Sequence, residues 1–371
     1  MSTTEKGGNV MPFCQVIVDI NHTDVDHVFT YRVPAGLDVC PGMRVHVPFG
    51  PRKLEGVVVE MAADCDLPPE RVKDICDTLE DYPAVLPPLL ELAKEIQRTS
   101  FCTLAVALRL MFPAQMRGQR IHEKQQEVAV LTVAPDVLGQ VIAAQVRAPK
   151  RAKVLRALAD APDMELTTAA LRETVGDCRD ALNALCKMGF VKLEKRESLR
   201  RPYGEMERLS AQDPELTRQQ EDVLAELLPA VETGKGEFLL YGVTGSGKTE
   251  VFIRAVRRAA QMGKTAIVLV PEIALTPQMV SWFRSRFGED AAVLHSRLSP
   301  GERYDEWRRI RRGDVRVVIG ARSAIFAPLQ NVGLIIIDEE HEQSYIADNN
   351  PHYDARQLAH ERCRREGAAL L

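Results

Sequence analysis

The chain of 371 residues carries 48 Lys and Arg against 52 Asp and Glu, a net charge of −4, and is 45% hydrophobic. That length accommodates two or three domains, and no apolar run approaches the roughly 18 residues that cross a bilayer, so a soluble protein is expected. The eight cysteines include no Cys-x-x-Cys and no paired spacing, which argues against a zinc or disulfide framework and for reduced thiols in a cytoplasm. No signal-peptide pattern opens the chain. The near-neutral charge leaves nucleic acid open as a partner, because such binding depends on local patches.

In chain order, residues 1–10 read as a flexible polar tail. Residues 11–115 form a first expected domain: alternating stretches 13–20, 28–33, 44–48 and 54–61 are separated by Pro34-Ala35-Gly36, Cys40-Pro41-Gly42 and Phe49-Gly50-Pro51. Four strands at that spacing predict a small antiparallel β-unit, closed by a helix over 87–111. Residues 121–201 predict helices at 150–158, after Thr167 and Thr168, and at 177–188, then a strand at 189–195 entering a basic hairpin. Helices followed by a two-stranded wing are the winged-helix pattern. Between residues 147 and 201, 13 Lys and Arg stand against 8 Asp and Glu, so Lys192, Lys195 and Arg196 are candidate DNA contacts, or a solvated basic face on a spacer. Residues 202–215 read as a linker. From 216 to 371, strands at 238–241, 266–270, 293–294, 315–319 and 334–337 alternate with helices, predicting a parallel sheet with helices on both faces.

The chemistry concentrates in this last segment. Gly242-Val243-Thr244-Gly245-Ser246-Gly247-Lys248-Thr249-Glu250 is a phosphate-binding loop between a strand-like and a helix-like stretch. Its glycines let backbone N–H groups point at phosphates, Lys248 adds a positive charge, and the Thr249 hydroxyl suits Mg²⁺. Gly242, Thr244, Gly245, Ser246, Gly247, Lys248, Thr249 and Glu250 are the expected ATP contacts. Downstream, the apolar run 334–337 ends in Asp338-Glu339-Glu340-His341. There Asp338 can hold the same Mg²⁺, and Glu339 can orient and deprotonate a water. Lys248, Asp338 and Glu339 are the expected catalytic residues. Thr276, Arg322 and Ser323 follow strands, where hydroxyls and a cation suit phosphate contacts or serve as ordinary polar loops. Together with Asp-Glu-x-His they point to a RecA-like lobe of a superfamily 2 translocase rather than a P-loop kinase or transporter ATPase.

A specific resemblance joins these pieces. The segments 269–278, His295-Ser296, Gly301-Glu302-Arg303, 318–324, 337–345 and Tyr353-Asp354-Ala355-Arg356 resemble the bacterial replication-restart DNA helicases of the PriA (primosomal protein N′) family, as do Phe29-Thr30-Tyr31 and 42–50. The resemblance implies a multidomain α/β protein: a 3′-end DNA-binding domain, a winged helix, and the first lobe of a superfamily 2 helicase. It implies an ATP- and Mg²⁺-dependent 3′→5′ DNA helicase, a hydrolase that recognises stalled or forked replication structures and initiates primosome assembly. The implied partners are forked, duplex and single-stranded DNA, primosome proteins and single-stranded-DNA-binding proteins; a cytoplasmic, nucleoid-associated bacterial monomer is expected.

By the same resemblance, Phe29, Thr30 and Tyr31 receive a strand's 3′ end, with Thr30 standing where the family often has Asp. Gln220 falls at an adenine-contacting position, or is an exposed helix-start Gln. His341, Tyr345, Tyr353 and Arg356 couple DNA contact to hydrolysis, the tyrosines by stacking or merely by packing. The second lobe, its arginine finger and the family's zinc-binding region are expected to lie outside this chain, which alone is then not competent to unwind DNA. The alternative reading is a non-catalytic fork-binding scaffold for primosome loading.

Overall fold

In the computed structural model the described residues are 13–20, 22, 26–119, 124–200, 214–243 and 245–371. The expected tail, most of the expected linker and Thr244 lie outside them. Two compact units result, one built from residues up to 121 and from 201 onward, the other from 122–200.

The first unit begins with β1 (Phe13–Val18), β2 (Phe29–Arg32), β3 (Arg44–Phe49), β4 (Arg52–Ala62) and β5 (Asp77–Thr78), antiparallel in the order β2-β1-β4-β3-β5. Alternation sorts the side chains as expected of a pleated sheet. Cys14, Val16 and Val18 join Tyr31, Val45, Val47 and Val58 in one core, while Ile17 and Val57 face a second. Gly42 meets the chain so closely that a Cβ there would lie 1.9 Å from the Val85 carbonyl oxygen. The helix expected over 87–111 is two helices, α1 (Pro87–Ser100) and α2 (Leu104–Leu108). Phe101 leaves α1 in the left-handed region at φ 50°, and the Thr103 hydroxyl accepts from the Val106 N–H to start α2 afresh.

Arg44 is buried at the centre of this unit. Its guanidinium donates to Glu55 (3.0 Å), Glu80 (3.1 Å) and the Met116 carbonyl (2.8 Å), and lies over the Phe112 ring. Burial nevertheless pushes the Glu80 carboxyl up to about 7; Arg44 opposes the shift, and the charges of Glu55 and Asp81 reinforce it. An acid raised in the folded state keeps a proton that the unfolded chain has lost, so stability falls as pH rises from 4.5 to about 7. Glu80→Gln is expected to remove this component, on the order of 3 kcal/mol at most. Urea midpoints of both proteins at pH 5 and pH 8 check it, and parallel pH profiles would refute it.

The remainder of this unit is α/β: α7 (Arg218–Thr233), α8 (Lys248–Gln261), β9 (Thr265–Leu269), α9 (Pro277–Phe287), β10 (Ala291–Leu294), α10 (Pro300–Arg312), β11 (Val317–Gly320), β12 (Val332–Ile337), α11 (Ala355–Glu366) and β13 (Ala369–Leu370). The sheet is parallel, in the order β10-β11-β9-β12-β13. Ala266 and Val268 pack with α7, α8 and α9, whereas Ile267 and Leu269 pack with α10, α11 and the α1–α2 segment. Trp307 Nε1 donates to the Met111 carbonyl (3.4 Å) and Arg311 Nε to that of Pro83 (2.8 Å), tying α10 to the β-unit. One expected strand is absent: 238–241 makes only the Glu237–Leu370 bridge and the Phe238 N–H bond to Leu370. Leu239 and Tyr241 are exposed.

The second unit runs β6 (Gln125–Leu131), α3 (Pro135–Ala144), α4 (Pro149–Ala159), β7 (Glu165–Thr167), α5 (Thr168–Val175), α6 (Arg179–Lys187) and β8 (Val191–Glu197). Thr167 caps α5 as expected, and Val154, Leu158, Leu171, Leu182 and Leu185 form the core. Among the described residues the expected basic hairpin does not form. β8 pairs along its whole length with β6, from Gln125↔Glu197 to Leu131↔Val191, in a sheet ordered β7-β6-β8. β6, mostly polar at its start, carries too weak an alternation to announce itself. The basic face is also largely neutralised. Lys192 pairs with Glu194 (3.0 Å), and Arg196 pairs with Glu165 (2.6 Å) and Glu194 (2.9 Å), because residues two apart share a strand face.

Among the described residues no helix is long and apolar enough to cross a membrane. All eight cysteines are free thiols.

Candidate functional site

The loop before α8 is built from backbone conformations that glycine alone adopts freely. Gly245 and Gly247 stand at φ 81° and 82°, the latter as the N-cap of α8. A Cβ on Gly242 would lie 2.8 Å from the Ser246 hydroxyl, and one on Gly247 2.3 Å from Gln220 Nε2. The N-terminus of α8 thus opens directly from this loop, the arrangement that binds anions. Lys248 Nζ donates to the Gly242 carbonyl (2.7 Å) and stands 3.6 Å from Glu339 Oε1.

Asp338 follows β12, its N–H donating to the Leu269 carbonyl of β9 (2.9 Å). Burial raises its proton affinity, the Glu339 charge adds to this, and the Glu339 N–H and Lys248 oppose it. Such a carboxylate is short of cationic charge, which fits a site for a divalent ion carried by a polyphosphate. Glu339 sits at φ 47°, a strained conformation that turns its carboxylate back toward Lys248. A Mg²⁺–nucleotide thus suits the donor set Ser246, Lys248, Thr249, Asp338 and Glu339. Glu250, expected as a contact, is instead buried and ion-paired with Arg254 (2.8 Å) and Arg286 (3.9 Å), because its helix position turns it into the core.

Gln220 is the third residue of a capping box with Thr217, and its amide Nε2 lies 3.4 Å and 3.3 Å from the Ser246 and Gly247 carbonyls. Both ends of the side chain are engaged in bracing the loop.

In the segment after Asp338, packing is the alternative that holds for Tyr345. Tyr345 is fully buried and offers no stacking face; its hydroxyl donates to the Asp338 carbonyl at 2.6 Å, 3.1 Å from that of Leu269. Arg356 clamps Asp354 with Nε and Nη2 (2.9 Å and 2.7 Å) and gives Nη1 to the Glu340 carbonyl (2.9 Å). His341 Nδ1 is exposed, 3.8 Å from Glu339 Oε2. Arg322 donates to the carbonyls of Ser344 (3.4 Å) and Ile346 (2.5 Å). A run of contacts therefore leads from Arg322 through the residues flanking Tyr345 to Asp338.

Sheet order places the other candidate residues. Loops at the carboxyl ends of β10, β11 and β9 carry His295-Ser296, Arg322-Ser323 and Thr276, while Asp338, Glu339 and the phosphate loop lie toward β12 and β13. Thr276 caps α9 by accepting from the Met279 N–H (3.3 Å), so its own O–H remains able to donate outward.

Comparison with known proteins gives two domain matches. Residues 15–113 match a PriA 3′ DNA-binding domain and residues 217–365 a DEAD/DEAH box helicase domain. The replication restart protein PriA of Bacillus subtilis is 32% identical over 424 aligned residues, 97% of this chain and 53% of that protein. The chain belongs to the PriA family. The PriA of Haemophilus influenzae is 32% identical over 90% of the chain and 45% of its own length. That of Treponema pallidum reaches 57% over 131 residues, 35% of the chain and 20% of its own length. The chain spans about half the length of the Bacillus and Haemophilus relatives it matches.

Within the matched PriA 3′ DNA-binding domain, Thr30 lies on the edge strand β2, opposite Gln15 and on the face away from Tyr31. Tyr31 is 4% exposed and cannot stack on a terminal base, since strand alternation sends it into the β-unit's core. Phe29 is half-buried between His27 (4.3 Å) and Phe49 (5.2 Å). Sequence reasoning missed two features of this PriA-family lobe: the hydroxyl tether from Tyr345 to Asp338, and a cavity beside Arg322. Neither has a sequence signal, because each joins side chains from separate elements.

Proposed function

We propose that this chain is the DNA-binding and nucleotide-binding part of an ATP-dependent 3′→5′ DNA helicase that acts in replication restart, recognising stalled or forked structures and initiating primosome assembly in the bacterial cytoplasm. In this reading residues 11–115 receive a 3′ end, 121–201 act as a winged-helix-like DNA module, and 216–371 are the first helicase lobe. The observation that carries it is the placement of Lys248, Asp338 and Glu339 around one glycine-built anion site, at the same sheet edge as the loops bearing Thr276, Arg322 and Ser323.

Bound Mg²⁺–ATP supplies the phosphoanhydride whose hydrolysis drives movement. The backbone N–H groups of 245–249 and Lys248 would hold the phosphates, and Thr249 and Asp338 would hold the ion. Glu339 orients a water and accepts its proton, held in place by its strained backbone. Arg322, when it meets a DNA phosphate, acts on the carbonyls of Ser344 and Ile346 around Tyr345, and so on Asp338. Primosome proteins and single-stranded-DNA-binding proteins are the partners this family reading implies.

Fork recognition is tested on the full chain by anisotropy with two forks, the leading strand ending at the junction in a 3′-OH or a 3′-phosphate. The Thr30 hydroxyl makes one hydrogen bond, so a preference for the 3′-OH fork of about 1 kcal/mol is expected, lost in Thr30→Val. Affinity for both forks should fall as salt rises, through phosphate contacts. Indistinguishable forks would remove end recognition and leave duplex binding alone.

A further inference from the structure

A cavity of about 330 Å³ opens at the carboxyl ends of β10 and β11, on the far side of β9 from Asp338 and the phosphate loop. Its depth is apolar: Met111, Phe112, Trp307 and Phe326 line it and are nearly fully buried elsewhere. Tyr353 forms a wall, its ring edge-on to Phe326 at 5.1 Å between centroids. The rim is polar. Arg322 and Ser323 come from the β11 loop and Ser296 from the β10 loop, which Arg303 fastens by donating to the His295 (3.2 Å) and Ser296 (3.1 Å) carbonyls.

We infer that this cavity takes one unstacked nucleobase from the single strand that crosses the lobe, with the neighbouring phosphate at the rim against Arg322 and Ser323. The inference rests on the DNA path proposed above and adds to it a specific seat for a base. Three observations carry it. The volume lies at the low end of the range for small-ligand pockets, enough for one heteroaromatic ring system and too small for a stacked pair. An interior of aromatic rings and a thioether, lined also by Arg322, Arg303, His295 and the single carboxylate of Glu272, matches a flat base joined to an external anion, with two guanidiniums against one carboxylate. The position outside the carboxyl ends of parallel strands is where α/β sheets bind ligands, and the sheet order separates it from the nucleotide site.

The seat has a consequence for coupling. Its wall Tyr353 and its rim Arg322 line it together, and Arg322 holds the Ser344 and Ile346 carbonyls on either side of Tyr345. A base entering the cavity thus presses on the segment whose tyrosine hydroxyl anchors the Asp338 carbonyl.

The test is equilibrium binding of the full chain to a labelled thymidine 12-mer and to the same strand with abasic sites throughout. Wild type should prefer the base-bearing strand, and stacking of one seated base accounts for about tenfold of that preference. Ser296→Trp, at an exposed rim position, plugs the mouth and should cut the preference by about that factor while leaving the salt dependence of binding unchanged. Leu110→Trp plugs it from the opposite side and serves as the second variant; circular dichroism verifies that both fold. A preference that survives unchanged in both plugged proteins overturns the seat. Arg322→Ala separates the two layers: it should weaken both strands alike. If it and both plugs leave every affinity untouched, the strand does not cross this edge and the underlying path is wrong as well.

Discussion

Lys248→Ala should weaken Mg²⁺–ATP binding on the order of a hundredfold, the largest single effect expected at the nucleotide site. The ammonium lies between the Gly242 carbonyl and Glu339, above the N-terminus of α8. Without it, incoming phosphate charge faces two carboxylates with only backbone N–H groups in compensation. A charge-assisted hydrogen bond contributes roughly 1.5–3 kcal/mol, and its upper end corresponds to the factor stated. The fold should be little affected, because the side chain, 20% exposed, bonds only a loop carbonyl and approaches Glu339 at 3.6 Å, neither of them a core contact. Titration with a fluorescent ATP analogue decides it: equal affinity in wild type and variant would remove the nucleotide assignment altogether.

Arg362→Leu should lower stability by about 3–5 kcal/mol, the cost of breaking a buried ion pair from one side. Arg362 is 2% exposed on α11, donating Nε to Glu366 (2.5 Å) and Nη1 to the carbonyls of Ile325 (2.5 Å) and Ala327 (3.0 Å). Leucine fills part of the volume but leaves the buried Glu366 carboxylate without its cation and the Ile325 carbonyl without the Arg362 donor, while the Ala327 carbonyl keeps the Leu329 N–H (2.8 Å). Those carbonyls belong to the chain that runs on from Arg322 and Ser323, so the loss should also loosen the loop proposed to meet DNA. Urea unfolding measures the first effect and hydrogen exchange of residues 322–329 the second. A shift below 1 kcal/mol would mean that water reaches these groups and the network is dispensable.

These two arginine and lysine positions differ in how they could have been found. Lys248 sits in a motif whose meaning is local, since glycine spacing sets the backbone and the backbone sets the anion site. Arg362 has no sequence mark at all, because its partners Ile325 and Ala327 lie in another part of the chain. The same contrast runs through the tyrosines. Tyr31 and Tyr345 are residue types that stack on bases as readily as they fill cores, and only the packing around them shows that both are buried.

By itself the sequence determined the parts that depend on neighbours along the chain. The antiparallel β-unit follows from alternation between turn residues, the parallel α/β sheet from alternating strand and helix stretches, and the phosphate loop and Asp338-Glu339 pair from residue type and spacing. The tertiary structure alone decided who pairs with whom. It joined β8 to β6 instead of a local hairpin, reduced 238–241 to a single bridge, spent Arg196 and Glu250 on ion pairs, and set the strand order that separates the cavity from the nucleotide loop. The reason is physical. Alternation and capping record whether a segment is a strand or a helix, but burial, charge pairing and strand order depend on contacts between residues far apart in sequence, and those are set only when the elements pack.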